Sequence, residues 1–335
     1  MKILLDKNKP FYKANLHCHS TYSDGKRTVD ELKAAYMAQG YSVVAFTDHE
    51  HLIDNSRLTD ENFLAITACE VAIKEFPTQS TLKNMYMRVC HLNFYALEAH
   101  NTLTPCYSSI YDHYVSEEVK PLLSFDTEYE RVHTADGINE MIRIANENGF
   151  IVSYNHPSWS LENTTHYLGY EGVWAVEIYN TGCRKSGYSD DEHVYDDMLR
   201  AGKKLFCTAA DDNHNAHPFE SPSSDSFGGH VWINADKLDY STIMQALQKG
   251  NFYASTGPQI FSLTLENGVV YIQTSPCQKI DLLTRGRRTK TAIAPIGEHL
   301  IDASFVLQDN DEYFRIRVTD ENGKTAYTQA YFLNK

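Results

Sequence analysis

The chain has no C-x-x-C pair and no regular cysteine spacing, which argues against a disulfide framework. Seven cysteines are scattered over the sequence, at positions 18, 69, 90, 106, 183, 207 and 277. An odd number of thiols, several of them in apolar runs, is typical of reduced core cysteines in a reducing compartment. We therefore expect a cytoplasmic protein.

Basic residues are also in deficit, since 30 Lys and Arg stand against 44 Asp and Glu and the formal net charge is -14. No basic patch with interleaved aromatic residues offsets this. The charge argues against long nucleic acids as the main partner, because phosphate backbones are held by basic surfaces. A small anionic substrate is still compatible with it, since bound divalent metals can reverse the local charge of a site.

Long apolar runs, internal repeats and low-complexity segments are absent as well. The first segment, 1–11, carries charges throughout, so we expect neither a signal peptide nor a membrane span there. With 335 residues, 42% of them hydrophobic and 22% charged, the composition is that of a soluble globular protein. The length allows one large barrel or two ordinary domains.

What the sequence does contain is a series of short apolar runs that alternate with helical patterns. Their β-branched and aromatic residues favour strands buried on both faces, as in a parallel sheet. The helices have recognisable ends, such as the capping box that starts at Thr28. We therefore predict a parallel α/β barrel with seven strands: Ala14–His19, Ser42–Thr47, Phe63–Glu70, Val89–Ala96, Phe150–Asn155, Val173–Tyr179 and Leu205–Ala210.

Two regions depart from this alternation. Residues 97–136 are too long for a barrel loop, and form either an insertion that helps to shape the substrate pocket or a surface elaboration without function. Farther on, Asn267-Gly268 and Asn322-Gly323 each separate alternating runs, which is a strong hairpin signal. We predict a barrel domain over 1–258, with the insertion, and a small all-β, sandwich-like domain over 259–335.

Histidines and carboxylates fall at or just after the predicted strand ends. In a parallel barrel these ends form one face, where active sites are built. Side chains alternate along a strand, so His17 and His19, which are two residues apart, lie on one face. Both imidazoles can therefore approach one ion. A single histidine is more often a core or surface residue than a ligand, but six histidines and three carboxylates in matching positions are improbable by chance: His17, His19, Asp24, His49, Glu70, His91, His156, Asp212 and His214.

The spacing of these residues resembles that of the PHP (polymerase and histidinol phosphatase) superfamily of metal-dependent phosphoesterases. The matching motifs are His17-Cys18-His19, Ser23-Asp24-Gly25, Thr47-Asp48-His49 and Asp212-Asn213-His214, with Glu70, His91 and His156 between them. The resemblance covers residues 14–258, about three quarters of the chain. Two further stretches, 90–94 and 252–258, are similar to the stand-alone CehA/McbA-like branch, which tends to carry a C-terminal β domain.

The resemblance implies a distorted (β/α)7 barrel that holds two or three divalent ions. It assigns a first metal to His17, His19, Glu70 and Asp212, a second to Glu70, His91 and His156, and a third to Asp24, His49 and His214. Zinc, manganese and iron(II) all suit such ligands. Asp211, beside Asp212, is a candidate to orient a ligand through a hydrogen bond.

Such a site predicts hydrolysis of a small phosphate ester by a metal-bridging hydroxide, with a phosphorylated metabolite as the substrate. The chain has no G-x-S-x-G motif and no cysteine in a reactive pattern, so we expect no protein nucleophile. Arg184, Lys185 and Arg27 are candidates to bind the phosphoryl oxygens. Three alternatives stay open: a hydrolase of non-phosphate esters or carbamates, a nuclease of short oligonucleotides, and a non-catalytic metal- or ligand-binding module. The sequence does not fix the oligomeric state.

Overall fold

The computed structural model of the chain describes residues 1–76, 86–287 and 289–333. Its strands are β1 (Lys2–Leu5), β2 (Phe11–Cys18), β3 (Val43–Phe46), β4 (Leu64–Lys74), β5 (Val89–Ala96), β6 (Phe150–Tyr154), β7 (Ala175–Asn180), β8 (Phe206–Ala210), β9 (His230–Asn234), β10 (Phe252–Ser255), β11 (Ile260–Glu266), β12 (Val269–Cys277), β13 (Lys279–Thr284), β14 (Lys290–Ile293), β15 (Leu300–Val306), β16 (Tyr313–Thr319), β17 (Thr325–Thr328) and β18 (Tyr331–Phe332). The α-helices are α1 (Val29–Ala38), α2 (Ala135–Glu147), α3 (Thr164–Tyr167), α4 (Thr181–Lys185), α5 (Glu192–Arg200) and α6 (Tyr240–Gln248). Short 3-10 helices cover Ser56–Leu58, Ser109–Tyr114 and Lys120–Leu122.

A large mixed sheet dominates the fold, and its strand order is β14-β13-β16-β17-β10-β9-β2-β3-β4-β5-β6-β7-β8. The seven strands predicted from apolar runs are confirmed as β2 to β8. Neighbours within β2–β4 and within β6–β8 are parallel, but β5 is antiparallel to both β4 and β6. The prediction of an all-parallel arrangement is therefore wrong at β5, because β4 and β5 pair as a hairpin, which needs no crossover connection.

The large sheet is not closed. In the part of the chain that the structure describes, β2 and β8 share no hydrogen-bonded ladder, so the architecture is a mixed α/β fold and the predicted (β/α)7 barrel is not confirmed. An isolated parallel bridge joins Cys18, the last residue of β2, to Asn213, which lies just past β8. There the His19 N–H donates to the Asn213 carbonyl and the Asp212 N–H to the His17 carbonyl. These bonds hold the loop after β8 against the end of β2.

Helix α1 begins where its sequence signal predicts. Thr28 caps α1 in a capping box with Glu31, and α1 buries Val29, Leu32 and Tyr36. The sequence also predicts helices over 138–148 and 191–201, each followed by a glycine; these correspond to α2, which begins three residues earlier, and to α5. The segment 97–134 contains two short 3-10 helices and no strand, as expected for an insertion.

The C-terminal region is all-β, as predicted. Asn267-Gly268 joins β11 to β12 and Asn322-Gly323 lies between β16 and β17, so both hairpins are confirmed. A second sheet, ordered β1-β11-β12-β15, shares a hydrophobic core with strands from the end of the large sheet. The ladder between β10 and β17 links this region to the rest of the large sheet, and β1 joins it from the start of the chain. A domain boundary at 258/259 stays a prediction.

All seven cysteines are buried and none forms a disulfide, which agrees with the prediction of core thiols. Over the described ranges, the helices are too short or too polar to cross a membrane.

Candidate metal centre

The strand ends bring the predicted ligands together at one edge of the large sheet. His17 lies in β2 and His19 directly follows it, so strand alternation turns both imidazoles the same way. The loop after β2 carries Asp24. Other members lie after β3, within β4, and after β6 and β8: His49, Glu70, His156, Asp212 and His214.

His91 reaches the same edge by a different route from the one predicted. Because β5 is antiparallel to its neighbours, its beginning lies beside their carboxyl ends. His91 is near the start of β5 and pairs in register with Ala72. Glu70 also departs from the prediction, since β4 does not end there but continues to Lys74.

The nine candidate ligands form three groups, and within each group the donor atoms all lie within 4.8 Å of one another. In the first group, His17 Nε2 is 3.2 Å from both Glu70 Oε1 and Asp212 Oδ1, and His19 Nε2 is 3.1 Å from Asp212 Oδ1. In the second, Glu70 Oε1 is 3.1 Å from His91 Nδ1 and 3.2 Å from His156 Nε2. The Glu70 carboxylate thus belongs to two groups.

The third group surrounds Asp24, whose Oδ1 is 3.3 Å from His214 Nε2 and 3.8 Å from His49 Nε2. His19 Nδ1 is farther away, at 3.9 Å from the same oxygen. A neutral imidazole binds a metal through one nitrogen. Because His19 Nε2 is closer to Asp212 Oδ1 than His19 Nδ1 is to Asp24 Oδ1, we assign His19 to the first group. The three groups then coincide with those that the resemblance implied, while metal binding by them stays a prediction.

The donor atoms fit divalent ions. Donors ~2.1 Å from a metal are themselves about 3.0 to 3.4 Å apart in octahedral or tetrahedral geometry, which matches the first two groups. Several buried donors also lack a hydrogen-bond partner among the described residues: Nε2 of His17, both ring nitrogens of His19, Oδ1 of Asp24 and Oδ1 of Asp212. Each unsatisfied buried polar atom costs about 1–3 kcal/mol, and coordination to an ion would remove that cost.

The charges of these groups suit cation binding. Burial raises the pKa of Glu70, but His91 and His17 hold it well below its usual range. Burial likewise raises the pKa of Asp212, and His17 and His19 bring it well below its usual range. Burial lowers the pKa of His19, while the nearby carboxylates of Asp212 and Glu70 raise it to about 10. Both carboxylates are therefore ionised at neutral pH, and binding of a metal ion would release imidazole protons.

Asp48 organises the loop that carries Asp24. Its Oδ1 accepts hydrogen bonds from the N–H groups of Ser20 (2.7 Å) and Ser23 (3.1 Å) and from Ser23 Oγ (2.7 Å). Gly25 allows a close approach, because a Cβ there would lie 2.6 Å from the His19 carbonyl oxygen. The Ser-Asp-Gly and Thr-Asp-His motifs are therefore one structural unit, in which Asp48 has a role that the sequence alone did not assign.

Glu177, in β7, also escaped prediction. Its Oε1 is 3.0 Å from His17 Nδ1, and its Oε2 accepts hydrogen bonds from Asn180 Nδ2 (2.8 Å) and the His156 N–H (3.3 Å). A carboxylate on the outer nitrogen of a metal-binding imidazole fixes its tautomer and orientation. The available signal was one acidic residue inside the buried run 173–179.

Asp211 does not have the contact that the sequence predicted. Its carboxylate accepts hydrogen bonds from Tyr36 Oη (2.8 Å), Thr181 Oγ1 (2.7 Å) and the backbone N–H groups of residues 227–229. None of these donors is a candidate ligand, so Asp211 supports the surrounding loops. The orienting hydrogen bond that we predicted for Asp211 is made by Glu177.

A cavity of about 720 Å³ opens over the three groups, a volume typical of small-molecule sites. Of the predicted substrate-binding residues, Lys185 lines it. Arg184 forms an ion pair with Asp190, and Arg27 with Glu31, and neither arginine belongs to the cavity wall. The structure therefore gives no support to substrate binding by Arg184 or Arg27.

The cavity wall also contains residues that the sequence did not single out, including Lys74, Arg88, Tyr114 and Trp159. The Tyr114 ring lies 5.0 Å from that of His49, and the Trp159 ring lies 5.1 and 5.0 Å from those of His91 and His156. Because Tyr114 belongs to the segment 97–136, the insertion contributes to the cavity, which agrees with the first of its two interpretations.

Comparison with known proteins finds a family model that matches less than half of the chain. Residues 15–167 match the model of the PHP domain. The chain is similar in structure to a two-domain Bacteroides vulgatus protein containing a predicted PHP-like metal-dependent phosphoesterase, with 13% identity, a TM-score of 0.45, and 98% of this chain and 96% of that one covered. No curated protein matches the chain.

Two further solved structures are similar at 13% and 12% identity. One, from Bifidobacterium adolescentis, is provisionally named a metal-dependent phosphoesterase; 64% of this chain and 91% of that one are covered, with a TM-score of 0.38. The other is an amidohydrolase from Chromobacterium violaceum with bound sulfate and no metal; 71% of this chain and 96% of that one are covered, with a TM-score of 0.39.

Fold and site together define a mixed α/β protein with a candidate centre for several metal ions. The segment that matches the PHP domain model, residues 15–167, includes the candidate ligands from His17 to His156. Asp212 and His214 complete the groups from beyond the matched segment. Assignment to the CehA/McbA-like branch stays a prediction.

Proposed function

We propose that this protein is a metal-dependent hydrolase of small phosphate esters, with two or three divalent ions at the candidate centre. The observation that carries the proposal is the Glu70 carboxylate, which belongs to two donor groups and can therefore hold two ions close together. When bound, such ions supply a hydroxide near neutral pH and neutralise the oxygens of an in-line displacement. Zinc, manganese and iron(II) all suit the mixed imidazole and carboxylate donors.

The chain's own side chains hold the donors in place. Glu177 fixes the ring of His17, and Asp48 fixes the loop of Asp24. No cysteine nucleophile is expected, because burial raises the pKa of Cys183, the thiol that lines the cavity. A phosphorylated metabolite as the substrate and a cytoplasmic location stay predictions from the sequence.

Phosphate release tests the proposal. Protein stripped of metal and then reloaded with Mn²⁺, Zn²⁺ or Fe²⁺ is assayed against a panel of phosphorylated metabolites. We expect release to require metal and to fall roughly 100-fold or more in Asp212→Asn, which removes a donor of the first group. His113→Gln, which changes an exposed imidazole outside the centre, is the control.

Several outcomes would contradict the phosphoesterase assignment. Cleavage of carboxyl esters or carbamates without phosphate release would favour the first alternative, and cleavage of short oligonucleotides alone would favour the second. Metal binding without turnover of any ester would indicate a binding module.

A further inference from the structure

Three Lys or Arg residues in the described part of the chain line the cavity: Lys74, Arg88 and Lys185. These three side chains differ in whether a protein group already compensates their positive charge. Arg88 forms an ion pair with Glu75. Lys185 is exposed, and its Nζ donates to the Pro222 carbonyl at 2.7 Å. Lys74 is half-buried, and its Nζ donates to Tyr114 Oη at 2.9 Å.

Lys74 has no acidic partner among the residues that the structure describes. Across the described ranges, no Asp or Glu oxygen lies within 4.0 Å of its Nζ, and the segment 77–85 contains no acidic residue at all. A partly buried charge without a counter-ion is unfavourable unless another group compensates it. Lys74 can therefore accept an anion from outside the protein.

The insertion fixes Lys74 in the cavity wall. Its backbone N–H donates to Tyr111 Oη at 3.2 Å, and its Nζ lies 5.4 and 4.7 Å from the ring centres of Tyr111 and Tyr114. Cation–π contacts of this kind stabilise an ammonium at a defined place. Because the Lys74 ammonium is already held in place, it loses less conformational entropy when it binds an anion than an exposed lysine such as Lys185 does.

Lys74 also lies on the same strand face as the metal centre. Side chains alternate along β4, so Glu70, Ala72 and Lys74 point to one side, and all three line the cavity. Glu70 and Lys74 are four positions apart, which corresponds to ~13 Å along the strand. The lysine side chain extends over part of this distance. Val89 pairs with Lys74 and His91 with Ala72, so the cavity continues along β4 and β5 beyond the second donor group.

We propose that Lys74 binds a second anionic group of the substrate. The preferred substrates are then phosphate esters whose organic part carries a carboxylate or a further phosphate. The phosphoryl group would lie at the metal centre and the second anion at Lys74. This inference rests on the proposed function, which supplies the position of the phosphoryl group.

Binding of phosphonates to the metal-loaded protein tests the role of Lys74 without turnover. Calorimetry compares phosphonobutanoate and propane-bisphosphonate, which carry a second anion, with butylphosphonate, which does not. We expect at least one of the first two to bind about tenfold or more tightly than butylphosphonate. Lys74→Met should abolish this preference and leave butylphosphonate affinity within about twofold, whereas Lys74→Arg should retain it. Lys249→Met, at an exposed lysine outside the cavity wall, is the control.

Absence of the preference in the wild-type protein, or its persistence in Lys74→Met, would overturn the inference. Phosphate release by the wild-type protein from butyl phosphate and from phosphate esters that carry a second anion is measured alongside, and it tests the proposed function separately. A Lys74-dependent preference without phosphate release would therefore reject the phosphoesterase and keep the anion site.

Discussion

At the scale of single residues, the orientation of the imidazoles decides whether the donor groups can hold ions. Glu177 contacts His17 Nδ1 at 3.0 Å and leaves Nε2 for the first group. We predict that Glu177→Gln weakens metal binding by roughly 10- to 100-fold, because the amide no longer fixes the tautomer of His17 with a negative charge. Competition with a chromogenic chelator measures the affinity.

The control for this change is Glu171→Gln, which alters an exposed carboxylate paired with Lys203. Its metal affinity should equal that of the wild-type protein. Equal affinities of Glu177→Gln and Glu171→Gln would show that Glu177 does not orient a ligand.

His230, in β9, makes stability depend on pH. Burial, reinforced by the charge of Lys13, lowers the pKa of His230 from 6.5 to about 3. The folded protein therefore keeps this ring neutral, while the unfolded chain takes up a proton as the pH falls below 6.5. The stabilising effect is complete above pH 6.5 and is lost toward pH 3, by at most about 1.4 kcal/mol per pH unit.

We predict that His230→Gln reduces the decline in stability between neutral and mildly acidic pH. Urea unfolding at both pH values measures it. Lys13 and Lys324 supply positive charge near the ring, and Tyr41 and Trp232 pack against it. In His113→Gln, which changes an exposed ring, the decline should match the wild-type protein. An unchanged decline in His230→Gln would contradict the assignment.

The donors could be predicted from the sequence because they occur in short motifs with fixed spacing. Glu177 could not, since it is one carboxylate in a buried run and its partner His17 is 160 positions away. Lys74 gave no signal either, because its importance depends on Tyr111 and Tyr114, which approach it through the tertiary fold.

At the scale of elements, a buried ion pair fixes the insertion to the loop after β3, and a hydrogen bond fixes it to β4. Arg131 Nη1 lies 2.6 Å from Glu50 Oε2 and donates to the Ala72 carbonyl at 2.9 Å, while Arg131 Nε donates to the Cys106 carbonyl. We predict that Arg131→Met lowers the free energy of unfolding by about 3–5 kcal/mol, because Glu50 is left buried without its partner. Urea unfolding measures the change.

Arg143→Met is the matched control, since the ion pairs of Arg143 among the described residues, with Glu140 and Glu147 on α2, are exposed. It should cost no more than about 1 kcal/mol. The double variant Arg131→Met/Glu50→Gln should recover part of the loss, because the unpaired charge is gone. Similar small effects of the two arginine substitutions would contradict a structural role for the buried pair.

The existence of the strands could be predicted from composition, but the direction of β5 could not. Apolar runs such as Val89–Ala96 report burial on both faces, which is the same for either direction. The direction of β5 is seen only from how its residues pair with those of β4. Lys74 pairs with Val89, and Ala68 pairs with Tyr95. This antiparallel strand is what places His91 beside Glu70.

At the scale of the whole molecule, the C-terminal strands contribute to the stability of the rest. Gln329 accepts a hydrogen bond from the Cys207 N–H at 2.7 Å and donates to its carbonyl at 3.1 Å. Arg315, 1% exposed, forms ion pairs at 2.7 Å with Glu192 and Asp196 of α5. The C-terminal region therefore satisfies polar groups of β8 and α5.

We predict that removal of residues 259–335 prevents folding of the remainder. The truncation would leave β10 without its β17 partner and would expose the apolar side chains of the second core. Size-exclusion chromatography and circular dichroism, with the full chain as the control, measure the outcome. A soluble, compact fragment that binds metal as the full chain does would instead support two independent domains divided at 258/259.

Apolar runs and hairpin signals predicted an α/β protein with an all-β end, but the closed barrel predicted with it is not confirmed. Closure depends on a ladder between β2 and β8, and here an isolated bridge from Cys18 to Asn213 stands in its place. The convergence of donors did not require closure, because the loop after β8 still reaches His17 and His19.

Metal-dependent cleavage of phosphate esters at the shared Glu70 is the central claim, and anomalous diffraction from crystals loaded with Mn²⁺ and inorganic phosphate tests it most directly. We predict anomalous peaks at the first and second donor groups, on either side of Glu70, with or without a third peak at Asp24, and a phosphate oxygen bonded to the ions. Crystals with no peak beside Glu70, or with phosphate bound away from the peaks, would contradict the account.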